Sequence, residues 1–331
     1  MFAAIESAQE SVYLEMYIFQ DDTPDFNFLE LLKQKARSGV KVRIILDFFG
    51  SFSLSKMAVS GLRASGAELF FLSSFLHRTH RKILVLDESL AFLGGVNFYH
   101  GSMHYNDLMM SVKGRLVPAI IKSFAKVYAE CGGKDPMLLG LLAQNKKIIL
   151  NKTRTWLLEH FPANSIFSLK EIFKKHLAQA EKNIILITPY FLPQRWLIGV
   201  LHQAVLRGVK VDVLVAQSTD FFLIDRANYF FMSKVSKLGV NFYVQPKMNH
   251  AKVMIIDRKE GIVGSNNVDF FSFHLNYEVG VFLKDSSTVQ KLLKIAEEWK
   301  RNAVLFDPKT QKMRWFDYIL SPALGFFNLV L

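Results

Sequence analysis

The 331-residue chain has a single cysteine, Cys131, so no internal disulfide can form and no CxxC pair is available to a metal. One thiol is compatible with a reducing compartment. No charge-free apolar run reaches the roughly 18 residues of a membrane-spanning helix. Met1 to Gln9 leads straight into an amphipathic pattern rather than a signal peptide. Secretion and integral membrane insertion are therefore not expected. Low-complexity tracts are also missing, and with 50% of the residues apolar the chain is expected to fold around full cores. Acidic residues are the scarcer charge: 29 Asp and Glu stand against 41 Lys and Arg, a formal +12 with a pI near 9.6. That imbalance points to an anionic partner, nucleic acid or an acidic membrane surface. The 30 Phe suit a lipid-facing surface, although core packing is the ordinary use of most of them.

What the chain does contain is a repeat. THRKILVLDESLAFLGGVN, from Thr79 to Asn97, is matched by NHAKVMIIDRKEGIVGSNN, from Asn249 to Asn267. Each copy reads HxKxxxxD, six residues, then GGxN or GSxN. The first supplies His80, Lys82, Asp87, Gly94, Gly95 and Asn97, and the second His250, Lys252, Asp257, Gly264, Ser265 and Asn267. One such spacing arises by chance; two identical ones, 170 residues apart, do not.

The flanking segments repeat as well. RGVKVDVLV around Gly208 echoes SGVKVRIIL around Gly39, and LGVNFYV around Gly239 echoes SGAELFFL around Gly66. Strands are expected over Val12–Phe19, Val40–Leu46, Glu68–Leu72 and Asp107–Val112, then over Ile184–Phe191, Val209–Val215 and Asn241–Gln245, with helices between them. Ser168 and Glu171 form a capping box for the helix that opens the second half. The expected fold is therefore α/β, with two similar lobes, each a mixed, mostly parallel sheet flanked by helices, related by a pseudo-two-fold axis. Residues 1–131 make the first lobe, 132–165 a linker with helical pieces, 166–306 the second lobe and 307–331 a tail. That tail combines Lys309, Lys312 and Arg314 with Trp315, Phe316 and LGFFNLVL; an interfacial anchor and packing onto the second lobe are both open for it.

The motif residues suit a phosphate diester. Side chains two apart in a strand share a face, so His80 points with Lys82 and His250 with Lys252. Asp87 and Asp257 belong to the candidate catalytic motifs, but the seven-residue interval turns them to the other face or to the strand end, where bonding backbone is the expected role. The glycines permit close backbone approach, and Asn97 and Asn267 offer amide donors for phosphate. Lysines and asparagines can hold non-bridging oxygens and stabilise transition-state charge, a task often given to a metal. One histidine can attack phosphorus while the other protonates the leaving alkoxide and later deprotonates the incoming alcohol. Asp107, 27 residues after His80, and Glu278, 28 after His250, are expected to accept the second ring N–H of the histidines and orient them. His100, His104 and His77 read as solvated loop residues, and His160, His176, His202 and His274 as surface or packing residues. Arg78 and Arg81, beside His80, read equally as a basic rim or as ordinary surface charge.

These motifs resemble the two HKD motifs of the phospholipase D superfamily over nearly the whole chain. HRKILVLD with its glycine pair, ITPYFLP at Ile187–Pro193 and GSNNVDFFSFHLNYE at Gly264–Glu278 are most similar to bacterial cardiolipin synthases. The resemblance implies a metal-independent, cofactor-free phosphatidyltransferase that passes a phosphatidyl group between phosphatidylglycerol molecules through phosphohistidine, releasing glycerol. A hydrolytic phospholipase D and a nucleic-acid phosphodiesterase are the alternatives; the aromatic tail and the two motifs in one chain favour lipid over nucleic acid. The implied setting is cytoplasmic and peripheral to an anionic cell membrane. Many such relatives begin with two transmembrane helices that this sequence does not show, and its first lobe opens late. The chain also carries Phe271 where relatives commonly have Arg, and Tyr105-Asn106 where they have Trp-Arg.

Overall fold

The computed structural model describes residues 1–72, 77–143, 154–162, 169–219 and 221–309. Ser168 and most of the aromatic tail, including Lys312, Arg314 and Trp315, lie outside them.

Two mixed sheets are built on the same plan. In the first, β1 (Ser11–Met16), β2 (Lys41–Asp47) and β3 (Glu68–Leu72) run parallel. Crossover helices α2 (Phe28–Arg37) and α3 (Lys56–Ala64) join them, and α1 (Phe2–Ser7) precedes them. The chain then returns on the other side of β1 as an antiparallel hairpin, β4 (Ile83–Leu86) and β5 (Leu90–Gly94), followed by β6 (Met109–Lys113). The strand order is β3-β2-β1-β4-β5-β6. Helices α4 (Val117–Glu130) and α5 (Pro136–Ala143) close the half. β1 is buried along its whole length, as a strand covered on both faces must be.

The second half repeats this with α6 (Leu169–Ala178), β8 (Asn183–Ile187), α7 (Arg195–Leu206), β9 (Lys210–Ala216), α8 (Phe222–Ser236) and β10 (Asn241–Gln245). The hairpin β11 (Val253–Ile256) and β12 (Glu260–Gly264), helix α9 (Phe270–His274), β13 (Glu278–Leu283), α10 (Ser286–Arg301) and β14 (Val304–Leu305) complete it. With β7 (Thr155–His160) at the outer edge, its order is β14-β10-β9-β8-β11-β12-β13-β7. The parallel part of each sheet is only three strands wide. The motif hairpins and the strands beyond them pair antiparallel, so the expected mostly parallel sheet is in fact dominated by antiparallel pairings. Sequence reading missed this because a short buried hairpin strand is as apolar as a parallel one.

The outer edge strand β7 (Thr155–His160) corrects a second expectation. It lies inside the segment assigned as linker, yet it pairs antiparallel with β13 from Thr155↔Leu283 to His160↔Glu278. Its alternation of Trp, Leu and Glu, without a counterpart in the first half, hid it from a search guided by the repeat.

Among the described residues, three cores hold the layers together. One covers the outer face of the first sheet beneath α1, α2 and α3, another the outer face of the second beneath α6, α7 and α8. The third runs between the sheets, where Phe124 and Tyr128 of α4 and Leu292 and Leu293 of α10 meet Ile83, Val85, Val253 and Val281. The lobes therefore share a core and hold the two motifs in a fixed relation.

Candidate active site

Each motif begins at the edge of its sheet where the parallel strands end, because β4 and β11 run antiparallel to β1 and β8. At that edge the lobes are stitched to one another through backbone. His80 N donates to Tyr277 O at 3.0 Å and Tyr277 N to Arg78 O at 2.8 Å. In the symmetric position His250 N donates to Asn106 O at 2.7 Å and Asn106 N to Met248 O at 2.8 Å. The residue stitched to each motif immediately precedes a carboxylate, so each histidine faces the carboxylate of the opposite lobe. His80 Nδ1 lies 3.1 Å from Glu278 Oε1, and His250 Nδ1 lies 2.8 Å from Asp107 Oδ2. The pairing is crossed, a feature that linear spacing does not reveal.

The two crossings are built differently. A Cβ placed on Gly95 would fall 2.2 Å from Asp107 Oδ1, so no side chain fits there. At the equivalent position the longer Glu278 leaves room for Ser265, whose Oγ donates to the glutamate. Short carboxylate with glycine and long carboxylate with serine are two solutions to one packing problem.

His80, Lys82, Asn97, His250, Lys252, Asn267 and Glu278 are all buried. Lys82 Nζ donates to the His80 carbonyl at 2.5 Å, and in the second motif Lys252 Nζ donates to the His250 carbonyl. The side-chain carbonyl of Asn97 accepts from Ile18 N at 3.2 Å, which leaves its NH2 group to donate, while Asn267 Oδ1 is buried without a partner. Tyr17 stands edge-on to His80, with ring centres 4.9 Å apart, and Lys82 lies 5.0 Å over its ring.

Burial and the concentrated positive charge set the protonation. Burial first, then Lys82, Lys252 and His250, hold the His80 imidazole well below its usual range. Burial and Lys252 bring His250 down to about 4, against the pull of Asp107. Burial and Lys252 also push Lys82 well below the ordinary ammonium value. Burial tends to raise Asp107, but His250 and Lys252 overcome it and leave it low; for Glu278 burial wins over Lys82 and Ser265 and raises it. Lys82 and Lys252 thus repel one another beside two imidazoles that favour the neutral form.

Asp87 and Asp257 are not brought to this site. Each closes its motif hairpin beyond the far end of the strand, roughly 20 Å of extended chain from the histidine. Asp87 accepts from the backbone N–H groups of Gln9, Glu10 and Ser11, and Asp257 from those of Glu181, Lys182 and Asn183. These donors hold both carboxylates low despite some burial. Their inclusion in the candidate catalytic set is corrected accordingly. Arg81 is neither rim nor surface: it is fully buried, with Nη2 3.3 Å from Glu15 Oε2 and 2.8 Å from Ser123 Oγ. Glu15 also accepts from Thr79 Oγ1 at 2.5 Å, so an ionic group inside β1 braces the residues on either side of His80. The one signal for it was a carboxylate in an otherwise apolar strand. His160, read as surface or packing, is buried on β7 directly across from Glu278. His100 and His104 lie in a short 3-10 helix, and no group of three His, Cys, Asp or Glu residues is gathered as for a metal among the described residues. Phe271 is half exposed at the start of α9, and Tyr105 has its ring 6.3 Å from that of His250.

Comparison with known proteins agrees with this geometry. A family model described as cardiolipin synthase, PLD-like domain, matches residues 1–130 and 173–299. The chain is 30% identical over 310 residues to cardiolipin synthase 2 of Bacillus anthracis, covering 87% of this chain and 60% of that protein. It is 28% identical over 333 residues to a cardiolipin synthase of Geobacillus kaustophilus, covering 96% of this chain and 66% of that one. The chain thus spans between three fifths and two thirds of these curated relatives. Among solved structures, a phosphatidylserine synthase from Haemophilus influenzae matches the whole chain and 92% of its own with a TM-score of 0.77 at 15% identity, a likeness of fold.

Proposed function

The chain belongs to the family of cardiolipin synthase PLD-like domains, and on that premise we propose that it is a phosphatidyltransferase that makes cardiolipin from two phosphatidylglycerol molecules. The relatives that it spans in part carry the name of that reaction. The observation that carries the reading is the crossed pair of histidines, each with its Nδ1 held by the other lobe's carboxylate, flanked by Lys82 and Lys252.

In the proposed reaction the Nε2 of one neutral imidazole attacks phosphorus of the first phosphatidylglycerol. A P–N bond forms, the P–O bond to glycerol breaks, and the leaving alkoxide takes a proton from Nε2–H of the second imidazole. The second phosphatidylglycerol then enters. Its hydroxyl gives a proton to the second imidazole, its oxygen attacks phosphorus, and the P–N bond breaks. Asp107 and Glu278 hold the rings so that both Nε2 atoms serve the phosphorus. Lys82, Lys252, Asn97 and Asn267 hold the non-bridging oxygens, and the lysines supply the transition-state charge, so the proposed reaction needs no metal. The diester anion raises the proton affinity of Lys82 and of the imidazoles, which burial and the neighbouring cations depress. The substrate therefore equips its own general acid.

The proposed setting is the cytoplasmic side of the cell membrane, held peripherally. The formal +12 charge supports it. No helix among the described residues is long and apolar enough to cross a bilayer.

The test is to incubate the protein with phosphatidylglycerol vesicles and chelator and to resolve products by mass. Cardiolipin with equimolar glycerol is expected. Phosphatidic acid alone means a hydrolase, and cleavage of plasmid DNA without lipid turnover means a nuclease.

A further inference from the structure

Among the described residues, six of the twelve exposed large apolar side chains lie on two segments that hold equivalent places in the two lobes. The loop after β2 exposes Phe48, Phe49 and Phe52, the last 81% exposed. The corresponding loop after β9, running into α8, exposes Phe221, Phe222 and Leu223, with Phe222 at 64%. Each loop leaves the parallel strands at the sheet edge where the histidines lie. In the first lobe Ser51 Oγ donates to Tyr17 O at 3.0 Å, and Tyr17 packs on His80. In the second, Gln217 N donates to Gln245 O at 2.8 Å, and the side chain of Gln245 accepts from that of Asn249, the residue before His250, at 2.6 Å. The two aromatic loops therefore adjoin the sheet edge on which the histidines lie.

We propose that these loops form a paired docking face for an anionic lipid bilayer, each lobe inserting its aromatic tip so that the crossed histidines sit over the headgroup layer. The inference rests on the phospholipid reading and adds to it the surface used and the orientation. Charge complementarity selects the occupant. Beside the first loop Lys56 is exposed and the Arg78 guanidinium lies 3.7 Å over the Phe49 ring; beside the second, Lys247 is exposed and Arg226 lies 5.1 Å over Tyr229. Two nearby carboxylates bond backbone: Asp21 accepts from Ser55 N at 3.2 Å and Asp225 from Thr219 N at 2.7 Å. Exposed phenylalanine with arginine and lysine around it matches the acyl boundary and the phosphate layer of a membrane at once. A protein partner would not require the same apolar-plus-basic tip on both sides of a catalytic opening.

The test uses the full chain with vesicles of phosphatidylglycerol and brominated phosphatidylcholine in equal parts. Phe52→Trp and Phe222→Trp are each expected to shift their emission to the blue and to be quenched by the brominated acyl chains. Leu206→Trp is the control, since Leu206 is 66% exposed at the end of α7, on the opposite sheet edge; its emission should not change. The double variant Phe52→Ser, Phe222→Ser should bind these vesicles roughly tenfold to a hundredfold more weakly than wild type, from the apolar burial lost. Quenching of Leu206→Trp equal to that of the loop variants, or wild-type vesicle affinity in the double serine variant, overturns the proposal. Turnover of phosphatidylglycerol by wild type in the same vesicles separates the two readings. If turnover persists when the docking result fails, only the face is wrong; if neither binding nor turnover occurs, the phospholipid reading falls and the docking face with it.

Discussion

At the scale of single residues, the site depends on carboxylates that belong to the wrong lobe by sequence. The types and spacing of His80, Lys82, His250, Lys252, Asp107 and Glu278 were legible because the repeat presented each twice. The crossing was not, because it is made by backbone bonds from Tyr277 and Asn106 to the other half. The Gly95 and Ser265 pair gives a sharp expectation. Gly95→Ser places atoms on Asp107, so kcat should fall by tenfold or more, whereas Ser265→Gly, which removes one hydrogen bond to Glu278, should cost less. Steady-state kinetics on both variants decides it; equal losses would mean that the close approach at Gly95 does not matter. The lowered imidazole of His250 also bears on stability. With a folded-state value of about 4 against an ordinary 6.5, the unfolded chain binds more protons between those values, so stability is lost as pH falls through that window. Urea titrations at pH 7 and pH 4.5 should show wild type losing more stability than His250→Gln, by up to about 3 kcal/mol. An equal loss in both proteins would exclude His250 as the group responsible.

At the scale of elements, the motif is a hairpin with a job at each end. Its start carries histidine and lysine, and its turn carries Asp87 and Glu88, or Asp257 and Arg258, at positive φ between 46° and 56°. Such a turn matches the twist of the strands it joins, and aspartate tolerates this backbone well. The seven-residue interval correctly moved the aspartate away from the histidine, and hairpin geometry explains where it went. Asp87→Ala should destabilise the fold by about 1–3 kcal/mol through the backbone donors it leaves behind, with kcat per folded molecule nearly unchanged. Denaturant midpoints together with active-site-normalised rates measure this; a lost kcat at full stability would return the aspartate to the catalytic set. Elements without a repeat were the ones misread. β7 has no twin, and Arg81 looked like surface charge because Glu15 and Ser123, which neutralise and bond it, lie on other elements.

At the scale of the whole molecule, the shared core between the sheets makes the lobes one body. Each motif histidine takes its carboxylate from the other half, so coupling across the interface is directly observable. Glu278→Gln should disturb the ring resonances and titration of His80, in the first lobe, and leave those of His250 nearer to wild type; nitrogen NMR of the imidazoles reads this. The reverse pattern would mean that the pairs form within lobes. Phosphatidyl transfer is proposed to pass through one of these paired histidines. The most direct measurement is rapid quenching of the protein with phosphatidylglycerol labelled on phosphorus, in the presence of chelator, followed by peptide mapping. Acid-labile, base-stable label is expected on His80 or His250, appearing before cardiolipin and decaying into it. Cardiolipin formed with no labelled protein at any time would contradict the phosphohistidine route.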